Sequence, residues 1–392
     1  MKLFNDGMDL FLIVVQQRLV LRVAISICFF VSGLVFSSWG SRIPDVKDKY
    51  NLSEAGLGGV LFMLPLGALL ALPIAGWLVH KWGSKKTTFG AIVIYAFLLF
   101  GIASNTSLTS LTVLLFCFGF IGNLGNIAMN TQGLMIQKRL NTPILSSLHA
   151  MWSLGAFAAA GLTGLLHDVV ITTHFLLVAG CTLAFVLGAS FYLIVDDVSA
   201  ETEQKVFVLP SKSLILLGII CFCVAMSEGA MVDWSSLYYR QTAGSIVENA
   251  TAGYTAFAFC MALGRFSGDK LLQRIQPRSI LQMNGLLILA GMSISLFIQH
   301  PISVMFGYAL VGFGVSSVIP IVYILAAKNP SMPPSASLAA VSSVGFTGFL
   351  VGPPMIGFLA EAIGLRWALT VLMFLGTMIW VLSFRVKQTT LN

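Results

Sequence analysis

Residues 213–238 read SLILLGIICFCVAMSEGAMVDWSSLY. The stretch is almost wholly apolar to Met226, then admits Glu228 and Asp233 among small and aromatic residues. An apolar run of about 20 residues matches the hydrocarbon thickness of a bilayer. In lipid the backbone must satisfy its own hydrogen bonds, so such a run forms a helix. A strand of a membrane barrel would instead show about 10 residues of alternating polarity. The carboxyl of Glu228 sits well inside the run, with no Lys or Arg within a helical turn. An ionisable group in hydrocarbon costs at least a few kcal/mol, so it demands a reason.

Outward from this stretch the pattern repeats. The first half gives spans at 20–43, 55–79, 86–104, 108–137, 144–166 and 172–195, and the second at 213–238, 250–267, 279–299, 302–327, 336–360 and 366–385. Composition agrees: 57% of residues are hydrophobic and 9% charged, against roughly 25% charged in a soluble domain. The expected fold is an all-α polytopic membrane protein with twelve transmembrane helices in two six-helix bundles, 1–195 and 213–392. The polar stretch 196–212, with Asp196, Asp197, Glu201, Glu203, Lys205 and Pro210, reads as a solvated linker between them. The apolar stretch Met8–Val15 is too short to span and is expected to lie along the inner surface.

The net charge of +7 does not point to nucleic acid. Only Arg42, Lys47, Lys49, Arg240 and Arg366, of 22 Lys and Arg, fall on the side away from the chain ends. Cytoplasmic loops attract Lys and Arg, so both termini are expected in the cytoplasm. All six cysteines lie inside apolar runs and read as small core residues. Asn51, Asn105 and Asn249 begin glycosylation-type triplets on the outer side.

The halves echo each other. Ser37-Ser38-Trp39-Gly40-Ser41-Arg42 ends the first span and Asp233-Trp234-Ser235-Ser236 the seventh. Spans five and eleven are both rich in small residues, with Gly155, Gly161 and Gly164 in one and Gly348, Gly352, Pro353, Pro354 and Gly357 in the other. Paired special helices in two halves are a repeat pattern of transporters.

Gly76-Trp77-Leu78-Val79-His80-Lys81-Trp82-Gly83-Ser84-Lys85-Lys86, after span two, resembles the loop motif of the major facilitator superfamily. His80 stands where the motif has Asp, and Ser84 where it has Arg. The resemblance implies that Lys81 and Gly83 belong to a latch at the cytoplasmic face, weakened by the missing acid. Gly264-Arg265 and Gly268-Asp269-Lys270 form the related loop, with Arg265 and Asp269 read as a structural pair. Further stretches are similar to the fucose-permease-like branch and its YbjJ-like bacterial inner-membrane permeases. These are Trp39 to Pro44, Asn126 to Asn130, Ser146 to Ser153, Glu228 to Trp234 and Gly352 to Arg366. That branch implies proton-coupled movement of small solutes. It often carries Asp at the position of Asn126, and the amide here shifts proton coupling onto Glu228.

Glu228 is therefore the candidate coupling carboxylate, against a hydrogen-bonded structural Glu. Arg42 and Asp233, at the outer ends of spans one and seven, could form a charge pair gating the outer side, or separate structural ends. Asn126 and Asn130, four apart on one helix face, can both donate and accept hydrogen bonds, which suits hydroxyl-rich ligands; interhelical bonding is the alternative. Asn123 and Gln132 read as structural. His149 is a candidate proton relay or a structural His. Trp39, Trp152 and Trp234 could stack on a solute, or serve packing.

No phosphate-binding Gly-rich loop and no metal-ligand cluster appears in the sequence, and no nucleophile–base pair suggests an enzyme. No cofactor is expected, and the expected partners are protons, a small-molecule substrate and the lipid bilayer. The chain is expected to act as a monomer. The reading is alternating access around spans one, four, seven and ten, moving a sugar-like or small polar solute. Efflux of amphipathic compounds and a non-transporting membrane sensor are the alternatives.

Overall fold

A computed structural model describes residues 2–142, 144–195, 212–243, 251–272, 274–328 and 334–386, with the side chains at 2–17, 212–213, 243, 269–270 and 334–335 outside the description. Among the described residues every regular element is a helix. The first half comprises α1 (Lys2–Ser41), α2 (Ile43–Lys49), α3 (Glu54–Trp82), α4 (Ser84–Ser104), α5 (Leu108–Leu140), α6 (Leu145–Leu165) and α7 (Ile171–Ser190). The second half comprises α8 (Lys212–Ala243), α9 (Ala252–Leu272), α10 (Pro277–Phe297), α11 (Pro301–Ser316), α12 (Val318–Ala327), α13 (Pro334–Ile363), α14 (Leu365–Ala368) and α15 (Thr370–Ser383).

Among the described residues, eleven stretches of helix are long and apolar enough to cross a bilayer. The twelfth crossing is α9, whose 21 residues include Arg265, Asp269 and Lys270 in an otherwise apolar run. The tenth crossing is broken at Ser317 into α11 and α12. The expected linker lies almost wholly outside the described residues. Met8–Val15 does not form a separate surface segment. Helix α1 is continuous from Lys2 to Ser41, because no Pro or Gly pair interrupts its backbone ladder before the first span.

Local chemistry sets the helix ends. Ser53 caps α3 by accepting from the Gly56 N–H at 3.1 Å. Gly83 joins α3 to α4 at φ +81°, in the region that a residue without Cβ enters freely.

Each half packs by the same scheme. The first crossing meets the fifth (α1 on α6), the second meets the fourth (α3 on α5) and the third meets the sixth (α4 on α7); α8 on α13, α9 on α11 and α10 on α15 repeat this in the second half. Glycines set the spacing. A Cβ on Gly155 would run into the Phe30 carbonyl of α1, and one on Gly119 into the Leu64 carbonyl of α3. A Cβ on Gly348 would stand 2.5 Å from the Phe222 carbonyl of α8. Small residues substitute here for a hydrophobic drive, which lipid does not supply between helices.

The halves meet along α3 with α13 and along α6 with α9. Gly58 and Gly357 abut on the face away from the chain ends, here the far face. A Cβ on Gly58 would come within 2.8 Å of the Pro353 carbonyl.

Candidate functional site

The bonds between halves cluster on the far face and thin out towards the terminal face, where the chain ends lie. Arg240 of α8 pairs with Asp48 of α2 at 2.6 Å, and the Ala55 N–H donates to Glu361 Oε2 at 3.2 Å. Thr251 Oγ1 donates to the Ala160 carbonyl at 3.3 Å, and the hydroxyls of Ser37 and Tyr254 lie 2.9 Å apart. The far face is thus closed.

At mid-depth one junction remains. Arg265 Nη2 of α9 donates to Glu228 Oε1 of α8 at 3.0 Å, and its Nη1 donates to Ser153 Oγ of α6 at 2.7 Å. One guanidinium therefore ties an acid of its own bundle to a hydroxyl of the other. Glu228 lies about 24 Å along α8 from Lys212, at 1.5 Å per residue. Its side chain is 11% exposed and that of Arg265 15%.

His149, one turn before Ser153 on α6, shares the face turned towards the second half. Its Nε2 lies 3.1 Å from Asn130 Oδ1, and Asn130 Nδ2 donates to Asn126 Oδ1 at 3.0 Å. Asn126 and His149 are exposed. A polar row therefore runs from the ion pair through Ser153 and His149 towards the terminal face, meets Asn130 there, and turns back along α5 to Asn126. It offers amide, imidazole and carboxylate groups to a solute entering from that side.

Several expectations change. Arg42 does not pair with Asp233. It donates to Asp45 Oδ2 at 3.0 Å, to the carbonyls of Leu166 at 2.7 Å and Val169 at 3.0 Å, and to His174 Nδ1 at 3.3 Å. The turn after α1 lays the guanidinium over the carbonyl end of α6, where the helix dipole favours a cation. Asp233 is half-buried, with no hydrogen-bond or ion-pair partner among the described residues. Arg265 pairs with Glu228, and its expected pairing with Asp269 lies outside the described residues, which omit the Asp269 side chain. Its place on α9, about 13 residues from the far end, brings it level with Glu228.

Trp39 and Trp234 are 0% exposed and fill the closed far side, so neither offers a ring to a solute in this conformation. Their indole N–H groups have no acceptor among the described residues. Trp152 is half-buried, 5.6 Å from the Phe36 ring between centres. Lys81 is exposed, with Nζ 4.7 Å from the centre of the Trp77 ring, outside the polar row. Gly83 serves the α3–α4 turn. Asn123 donates to the Ala68 carbonyl at 2.6 Å and Gln132 to Ser84 Oγ at 2.7 Å, both interhelical bonds.

Sequence reasoning missed Ser153, the pairing of Arg265, and the Arg240–Asp48 bridge. One signal was present: Arg265 is the one basic residue within the expected span 250–267, near its end, and Glu228 is the acid that needed it.

The chain matches the sequence model described as Major Facilitator Superfamily over residues 25–341. It is 29% identical over 361 residues to an uncharacterised MFS-type transporter of Yersinia pestis, covering 88% of this chain and 91% of the relative. It is 30% identical over 360 residues to the membrane protein MosC of Rhizobium meliloti, covering 91% and 88%. Among solved structures it superposes on the nucleoside transporter NupG with a TM-score of 0.71 at 15% identity, covering 93% of this chain and 98% of that one. It also superposes on a point mutant of the Escherichia coli fucose:proton symporter FucP with a TM-score of 0.62 at 17% identity, covering 95% and 100%.

Proposed function

We propose that this chain, which belongs to the major facilitator superfamily, is a secondary active transporter that moves a small, polar, hydroxyl-bearing solute by alternating access coupled to protons. Membership makes it a multi-pass membrane transporter; solute class and coupling rest on the site. The excess of Lys and Arg on the terminal face supports placing that face in the cytoplasm of a bacterial inner membrane. The conformation is then open inwards, with the far face shut.

The observation that carries the coupling is the Glu228–Arg265–Ser153 junction. A proton on Glu228 removes the negative partner of Arg265 and so weakens the group that holds Ser153 of the other bundle. The proton thus changes the energy of a contact between halves, as an effector of alternating access must. The Asn126–Asn130–His149 row supports a solute rich in hydroxyls, since amides both donate and accept.

Proteoliposomes with Glu228→Gln test the reading. Uphill uptake driven by a pH gradient is expected to vanish while counterflow of the same solute persists. Unchanged uphill transport would rule Glu228 out as the coupling group. Absence of counterflow in the wild type, with binding retained, would favour a sensor.

A further inference from the structure

The junction constrains the solute's charge, given the proton coupling at Glu228 proposed above. Guanidinium carries five N–H donors. Two of those on Arg265 are engaged among the described residues, one by Glu228 Oε1 and one by Ser153 Oγ. The contact with Glu228 is single-point, and Glu228 Oε2 has no partner among the described residues. Arg265 therefore keeps unused donors at the head of the row formed by Ser153, His149, Asn130 and Asn126, of which His149 and Asn126 are exposed.

Consider the state in which Glu228 carries the proton. Arg265 has then lost its counter-charge among the described side chains, and a buried cation left unpaired is strongly disfavoured. A neutral solute gives the guanidinium only dipoles. A carboxylate gives it a charge and a two-point acceptor matched to its fork. Among the described side chains, the other groups near Glu228 do not supply that charge. Tyr254 of α9 and Cys221 of α8 lie within its electrostatic reach, and neither is a fixed anion. Ser153 is neutral. Asp233 is five residues, about 7.5 Å, further along α8; it shares Tyr254 as a neighbour with Glu228 but bonds to neither member of the pair among the described residues.

We propose that the solute is a small hydroxylated monocarboxylate, whose carboxylate takes the place of Glu228 on Arg265 while Glu228 holds the proton. One proton and one monoanion cross together, so the cycle moves no net charge. A dianion would leave the site negative, which selects a single carboxylate. The hydroxyls face Asn126, Asn130 and His149.

The test uses the full chain, purified and reconstituted, with glucuronate, gluconate and glycerate set against glucose, glucitol and glycerol. At least one carboxylate is expected to enter tenfold faster with acid on the side of entry, and to ignore a potassium-diffusion potential. In thermal-shift titrations Glu228→Gln, which mimics the protonated acid, is expected to bind that carboxylate at least fivefold more tightly than wild type at neutral pH. Arg265→Gln is expected not to bind it. Counterflow of the neutral solutes without any carboxylate would overturn the proposal and leave the transporter reading standing. Carboxylate uptake driven by membrane potential, or no carboxylate binding to wild type or Glu228→Gln, would also overturn it.

Discussion

Arg240 and Asp48 form a two-point ion pair, Nη1 to Oδ2 at 2.6 Å and Nη2 to Oδ1 at 3.0 Å, although they belong to different bundles. The side chains are 35% and 60% exposed, so water screens the pair and its worth to overall stability is under about 1 kcal/mol. Its effect falls on the balance between conformations. Arg240→Ala is expected to shift the population towards an open far face, with little loss of thermal stability. Electron-spin distances between labels at Ser107 and Ile302, in a cysteine-free background, report it. An unchanged distance distribution would remove the pair from the gate.

Two kinds of glycine contact predict two kinds of damage. Gly155 holds α6 against α1 inside one bundle, and a Val there meets the Phe30 carbonyl in every conformation. Gly155→Val is expected to abolish folded protein. Gly58 meets Pro353 and Gly357 only where the bundles touch, so Gly58→Val is expected to fold and to populate the far-open form. Size-exclusion profiles and the same spin labels separate these outcomes.

Ser41 gives a chemical report of that opening. It is 2% exposed, at the end of α1 behind the closed far face. Ser41→Cys is expected to resist a membrane-impermeant thiol reagent, and to react at least tenfold faster when combined with Gly58→Val. Equal rates in the two backgrounds would mean that opening does not uncover this end of α1.

The mid-depth junction predicts non-additive stabilities. Arg265→Gln leaves Glu228 buried without its cation, a loss of about 3–5 kcal/mol when a buried pair is broken from one side. Adding Glu228→Gln removes the stranded charge and is expected to recover more than half of that loss. A double-mutant cycle of thermal unfolding in detergent measures the coupling. Additive losses would show that the two side chains act independently.

The helices were legible in the sequence because lipid imposes one length and one backbone solution. The run from Leu214 to Met226 needed no tertiary information to be read as a crossing. Glu228 was legible as a residue that needs a partner, but its partner was not. Arg265 is 37 positions away and becomes a neighbour only when α9 returns antiparallel beside α8. Arg42 misled for the opposite reason. Its level in the membrane matched an outer gate, while its contacts were decided by the nearby end of α6, which hydropathy does not reveal. Trp39 and Trp234 were placed correctly along their helices, but which surface is uncovered belongs to a conformation and not to a residue type.

The meeting of Gly58 with Gly357 bears on speed as well as shape. Longer side chains locked across such a surface would lose up to about 1.5–2 kcal/mol of rotamer freedom each, whereas glycine loses none. A join made of bare main chain can therefore form and part repeatedly without ordering and releasing side chains at each stroke. The cost of ordering side chains at each stroke then falls on the charged contacts around it, such as Arg240 with Asp48.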